Sequence, residues 1–312
     1  MDVAVILAFV SGILAATWRM ATPLIYASVG EVFAERSGVI NLGLEGIMLV
    51  GAFNAYTAAF YSGSLWLGLL AALFTGVLLG LLFAFFTVTI KANQIVVGTA
   101  FNLAGSGISG FLFESIFLKS NYSSLGIPTF NDLSFPFLTK IPYLGDILFH
   151  YNILVYITVL LVPLASFVLY KTAFGLAVRS VGAHPKAADT MGISVSRMRY
   201  ICVVIGSVLT ALGGATLTLA FANQFVEDMT SGRGFIALAA VVFGGWTPWG
   251  ATAASLLFGV FYALQLRVQA MNSVLLPYQF LQVLPYVATV LALISVRHRA
   301  GSPKALGVPY RS

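Results

Sequence analysis

The sequence predicts an all-α polytopic membrane bundle of about nine (8–10) helices that span or partly span the bilayer. Three observations carry this reading. Only 8% of the 312 residues are charged and 59% are hydrophobic, whereas soluble domains carry about 25% charged residues. The mean hydropathy is +0.96. The apolar runs are long and lack the alternation of a barrel strand, so helices are the elements that satisfy the backbone in lipid. Everything outside the runs is loop, and residues 1–312 read as a single transmembrane domain.

Val3 to Phe33 reads as one long helix whose first turns lie at the interface, with two short spans as the alternative. Val39 to Tyr61 is the second span, rich in Gly and interrupted by Asn41, Glu45 and Asn54. Ser64 to Ile90 is the third and most uniformly apolar, with a Gly76/Gly80 pair for close helix contact. Val96 to Phe117 is the fourth, and Lys119 to His150 a long polar connection. Tyr151 to Tyr170 and Tyr200 to Ala222 are the fifth and sixth. Gly234 to Trp249 is short and Gly-rich and ends in Trp-Thr-Pro-Trp, the mark of a re-entrant or broken helix with an interfacial anchor. Gly250 to Val268 and Gln279 to Val296 complete the bundle.

Basic residues orient it. The loop at 171–199 is the longest polar interruption with a helical signature, and Lys171, Arg179, Lys186, Arg197 and Arg199 lie in it. Placing that loop inside and alternating outward puts 11 of the 16 Lys and Arg residues inside, with Arg36, Lys91, Arg297, Arg299, Lys304 and Arg311 joining those five. The C-terminus is then cytoplasmic. The net charge of +6 marks cytoplasmic loops, and no nucleic-acid partner is implied. The lone Cys202 allows no internal disulfide. No cleaved signal peptide is expected, because the N-terminus lacks a basic region and a small-residue cleavage site.

Within the basic loop, Pro185 stands where a first helical turn favours it and Gly192 where a helix ends. A two-turn helix between them is too short to persist alone in water. Ala187, Ala188 and Met191 would give it a small apolar face, suited to a partner's groove. An ordinary solvated loop is the competing reading.

Enzyme chemistry finds little support. There is no phosphate-binding G-x-x-x-x-G-K-[ST] and no H-E-x-x-H, and His150, His184 and His298 are too far apart to pair on a metal. Any uphill work must be driven from outside the chain or by an ion gradient. Polar residues within spans are the positive signal: Asn41, Glu45, Asn54, Asn93, Gln94 and Asn102, with Glu114, Asn223 and Gln224 beside them. Amides both donate and accept, which suits an uncharged polar solute better than a proton relay. Each of them could equally be an interhelical hydrogen bond. Gly38, Gly43 and Gly46 frame Asn41 and Glu45 in a segment able to unwind. Glu227 and Asp228 read as a solvated outer loop.

Four stretches carry a resemblance: RSGVINLGLEGIMLVGAF (Arg36–Phe53), KANQIVVGTAFN (Lys91–Asn102), VGAHPKAADTMGI (Val181–Ile193) and GRGFIALAAVVFGGWTPWGA (Gly232–Ala251). In this order, and over nearly the whole chain, they resemble permease subunits of bacterial ABC importers for branched-chain amino acids, ribose and other simple sugars. The first and last are similar to the nucleoside-importer branch. Phe101 departs from the pattern, standing where a smaller aliphatic residue is expected. The resemblance implies a type II-like importer fold in a bacterial cell membrane and half of a translocation path for nucleosides. It makes Gly182, His184, Pro185, Ala187, Ala188, Asp189, Met191 and Gly192 the coupling helix that docks on an ATPase. It implies a second, longer permease subunit, ABC ATPase subunits that hydrolyse ATP, a substrate-binding lipoprotein, and no cofactor on this chain. Simple sugars such as ribose or galactose, or branched-chain amino acids, are the alternative substrates. A gradient-driven carrier or membrane enzyme is the alternative class.

Overall fold

The computed structural model describes residues 3–119, 126–134, 150–270, 283, 287 and 301–310. α1 (Val3–Arg36) is one 34-residue helix with Pro23 inside it. α2 (Leu44–Ser62) stops at Gly63, which is left-handed at φ 68°. α3 (Leu65–Ala84) and α4 (Gln94–Phe113) each widen at their ends into a π turn, Phe85–Thr89 and Glu114–Leu118. Strands β1 (Asp132–Ser134) and β2 (His150–Asn152) form an antiparallel ribbon. The Asn152 side chain then caps α5 (Ile153–Lys171). The short α6 (Ala173–Ala183) and α7 (Pro185–Thr190) follow. α8 (Val195–Thr216) continues as a π turn, Leu217–Ala222. α9 (Arg233–Phe243) is short, and α10 (Pro248–Ala270) is long.

Among the described residues, five stretches are long and apolar enough to cross a membrane: Leu65–Thr89, Gln94–Leu118, Ile153–Lys171, Val195–Ala222 and Pro248–Gln269. With α1 and α2 packed among them, they form an all-α membrane bundle. α8 is its hub, packed on α1, α2 and α3. Gly76 and Gly80 of α3 meet α8 at Val204, Ser207 and Val208, the close approach their spacing predicts. The far side of α3 exposes Leu67, Leu70, Phe74 and Leu78, the apolar surface a helix presents to lipid.

Three expectations are corrected. The second helix begins at Leu44 rather than Val39, because residues 37–43 leave helical geometry. The basic loop holds two helices, since Thr172 caps an additional α6 through its hydroxyl, which accepts from the Gly175 N–H. The connection Asn223–Arg233 is not an outer loop, for the reason given below. The predicted span Gln279–Val296, together with Lys140, Arg297, His298, Arg299 and Arg311, lies outside the described residues apart from positions 283 and 287.

Candidate functional site

Between α1 and α2 the backbone turns at Gly38, whose φ of 96° suits glycine. The N–H groups freed there are taken by distant side chains. Ile40 N–H donates to Gln94 Oε1 and Asn41 N–H to Glu31 Oε1, each at 2.8 Å. Asn41 is fully buried; its Oδ1 accepts from Gly43 N–H at 3.0 Å, and its amide reaches Ser207 Oγ at 3.5 Å. Asn102 of α4 completes the arrangement. Its Nδ2 donates to the Leu42 carbonyl at 2.8 Å and its Oδ1 accepts from Gly46 N–H at 2.9 Å. The two backbones nearly touch: a Cβ on Gly46 would lie 2.2 Å from the Phe101 carbonyl oxygen. Phe101 stacks edge-on against Phe83, with ring centroids 5.3 Å apart.

Glu45 extends the break to α9. Its Oε1 accepts from Gly232 N–H at 2.7 Å and its Oε2 from Gly234 N–H at 2.6 Å. The carboxylate therefore caps the helix start, where unpaired N–H groups and the dipole favour a negative charge. Of the remaining expected path residues, Asn54 donates to Thr75 Oγ1 at 2.8 Å, on the neighbouring helix. Asn93 is exposed and caps α4 by accepting from Ile95 N–H and Val96 N–H. Asn41, Glu45, Gln94 and Asn102 thus come together at the break, and Asn54 and Asn93 do not. All six are bonded within the chain.

The polar surface lies elsewhere. Ser106 Oγ donates to Asp228 Oδ1 at 2.7 Å. Ser106 is the middle residue of the 25-residue stretch Gln94–Leu118, about 18 Å from either end at 1.5 Å per residue. The connection after α8 therefore descends to the middle of the bundle, and α9 starts there as a half-helix. Glu227 and Asp228 are exposed at that depth. Exposed carboxylates at mid-span face a cavity or a partner rather than lipid, and non-helical backbone there needs the same shelter. A cleft of about 270 Å³ runs beside this loop, from Arg19 and Met20 of α1 past Leu217 and Phe221 to Arg233. The Arg233 guanidinium stacks on Tyr262, 5.1 Å from the ring centroid. Acids in a polar connection between two apolar runs were visible in the sequence, but their depth was not.

At the basic end, α7 is fastened to the chain's own body. Ala188 is only 4% exposed and packs with Val181 and Val195, so it turns inward rather than joining a docking face. Ala187, Asp189 and Met191 are exposed, Met191 by 81%. His184 lies exposed at the start of α7, Pro185 begins it, and Gly192 at φ 82° follows it. Gly182 is buried, and a Cβ there would lie 2.0 Å from the Arg36 carbonyl oxygen. Among the described residues, no three His, Cys, Asp or Glu side chains gather as a metal would need.

The family model for the permease component of branched-chain amino acid transport systems matches residues 5–293. The chain belongs to this permease family. It is therefore a transport subunit and a multi-pass membrane protein, and the carrier and membrane-enzyme alternatives fall away. The permease is 41% identical to the guanosine ABC transporter permease protein NupQ of Bacillus subtilis, over 99% of this chain and 98% of the relative. It is 40% identical to the nucleoside ABC transporter permease protein NupC of Lactococcus lactis, over 93% of each. It is 38% identical to the putative glucose ABC transporter permease protein TsgC13 of Haloferax volcanii, over 87% and 82%. The first two organisms each contain a second, more distant relative, NupP at 27% and NupB at 23% identity. No solved structure matches the permease.

Proposed function

We propose that this permease is one of two membrane subunits of an ATP-driven nucleoside importer in a bacterial cell membrane, with residues 1–312 acting as one transmembrane domain. The full-length likeness to NupQ and NupC carries the substrate reading. The two-permease organisation rests on the pairs NupQ with NupP and NupC with NupB. ABC ATPase subunits on the cytoplasmic face would hydrolyse the ATP, and a lipoprotein would deliver the solute.

Geometry supports an uncharged solute. The positive start of half-helix α9 is already neutralised by Glu45, which leaves an anionic group no free helix end. Asp228, Glu227 and the Ser106 oxygen supply acceptors for ribose hydroxyls at mid-depth. We place the path along these residues and the adjacent cleft, and assign Asn41, Gln94 and Asn102 to holding the break behind it. The docking face is the exposed side of α7, Ala187 and Met191, with Ala188 buried behind. A sugar importer is the second reading, on the likeness to TsgC13.

The deciding measurement is uptake of labelled guanosine and glucose in cells without their own nucleoside importer, expressing the permease with its neighbouring transport genes. ATP-dependent guanosine uptake is expected, and glucose uptake alone would establish the second reading. Sidedness has its own test. In a Cys202→Ser background, cysteines at Ser180 and Ser302 should resist an impermeant thiol reagent in intact cells and one at Asn131 should react. Labelling at Ser180 reverses the assigned orientation.

A further inference from the structure

Residues 301–310 touch α6, α7 and the break between α1 and α2. Ala305 N–H donates to the Gly182 carbonyl at 2.9 Å, at the end of α6. Gly307 N–H donates to the Gly38 carbonyl at 3.1 Å, in the break between α1 and α2. The Tyr310 hydroxyl donates to Asp189 Oδ2 at 2.8 Å, on α7. Leu306 packs on the core that contains Phe33 and Trp246.

Arg199 joins this segment to the break from inside. It is 1% exposed. Its Nε donates to the Ser37 carbonyl at 3.2 Å and its Nη1 to the Val308 carbonyl at 3.0 Å. A buried guanidinium is expensive unless its donors are used; here Nε and Nη1 pin a carbonyl of the break to a carbonyl of the segment, and Nη2 is buried with no hydrogen-bond partner among the described residues. The backbone that continues from Ser37 is held at successive points: Gly43 N–H on Asn41, the Leu42 carbonyl and Gly46 N–H on Asn102, and Glu45 on the start of α9. Hydrogen bonds and the backbone between them thus connect α7, through the segment and the break, to the mid-membrane half-helix.

We propose that residues 301–310 are a strap that transmits displacement of α7 to the break between α1 and α2, with Tyr310 and Arg199 as positioning residues for coupling. The strap rests on the reading of α7 as the ATPase dock. Interdigitated packing transmits such a shift rather than absorbing it, and a path of this kind requires direct evidence of coupling.

Two experiments on the complete transporter in liposomes test it. Tyr310→Phe keeps the ring and removes the hydroxyl, and should lower solute moved per ATP hydrolysed by about three- to tenfold, the factor one hydrogen bond is worth. ATP hydrolysis should continue. Arg199→Lys should act likewise, because an ammonium lacks the fork that reaches both carbonyls. Combining Tyr310→Phe with Asp189→Ala should cost no more than either alone. Equal falls in transport and hydrolysis would mean a brace only, and the proposal fails. The second experiment needs no solute. Spin labels at Lys186 and Lys304 should stay at one distance in the nucleotide-free and vanadate-trapped states, and separate or broaden in Tyr310→Phe. A distance that changes in the otherwise intact permease overturns the strap, whatever the importer carries. Absence of guanosine uptake with the distance conserved overturns only the substrate reading.

Discussion

The helix pattern is interrupted at two places, and the chain treats them oppositely. In the break at Ser37–Gly43, the Ile40, Asn41 and Gly43 N–H groups and the Leu42 carbonyl are all bonded to side chains. In the descending connection Asn223–Gly232, Glu227 and Asp228 are exposed, and Asp228 Oδ1 accepts from Ser106, which is itself partly exposed. Both are irregular backbone at membrane depth. The first is a latch whose backbone groups are bonded within the permease, with Gln94 Nε2 and Glu31 Oε2 beside it buried and without a hydrogen-bond partner among the described residues. The second is a surface, and it requires a cavity or a second subunit to face. Polarity inside a span therefore does not identify a path; polarity exposed at mid-depth does.

The comparison breaks first at Gly46. Gly46→Leu places a side chain where a Cβ alone would come 2.2 Å from the Phe101 carbonyl oxygen. The latch cannot close around it, and the expected loss exceeds about 3 kcal/mol. Size-exclusion chromatography in detergent should find little monodisperse protein. Normal yield and uptake would show that α2 and α4 do not approach as described.

At the descending loop the expected effect is functional. Asp228→Ala removes an exposed carboxylate, so its melting temperature should stay close to wild type, as for an ordinary surface change of about 0.5 kcal/mol or less. Uptake per assembled complex should fall about tenfold, the equivalent of one lost hydrogen bond of about 1.4 kcal/mol. Unaltered uptake removes Asp228 from the path.

Asn102→Ala should do the reverse. It strands the Leu42 carbonyl and the Gly46 N–H, costing about 1–3 kcal/mol, seen as a lower melting temperature and yield. Uptake per folded complex should hold. A stable variant with slow uptake would return Asn102 to the path and erase the contrast between the two regions. The smallest effect belongs to Asn93→Ala, which removes an exposed cap from α4 at about 1 kcal/mol and should leave uptake unchanged.

Much of this was legible in advance. The Pro185 start and the Gly192 end of α7 follow from local backbone rules, and so does the close contact at Gly76 and Gly80. Two short elements escaped. α6 was hidden because the apolar stretch Ala173–Ala183 is too short to span a membrane and lies between basic residues that read as loop. The depth of Asp228 was hidden because a polar connection reads the same whether it lies in water or dips between helices. Ala188 was assigned outward because a six-residue helix of small residues has no strong apolar side of its own. Its neighbours Val181 and Val195 decided it.

By itself the sequence determined the membrane setting, the helical class, most span positions and the membership announced by its Gly-rich motifs, because these depend on composition and on signals within one or two turns. Only the tertiary structure decided which polar atoms are spent. Asn102 finds its partners 60 and 56 residues away, and Glu45 finds its own 187 and 189 residues away. No local pattern specifies such partners, since a hydrogen bond is satisfied by position in space and is indifferent to separation along the chain.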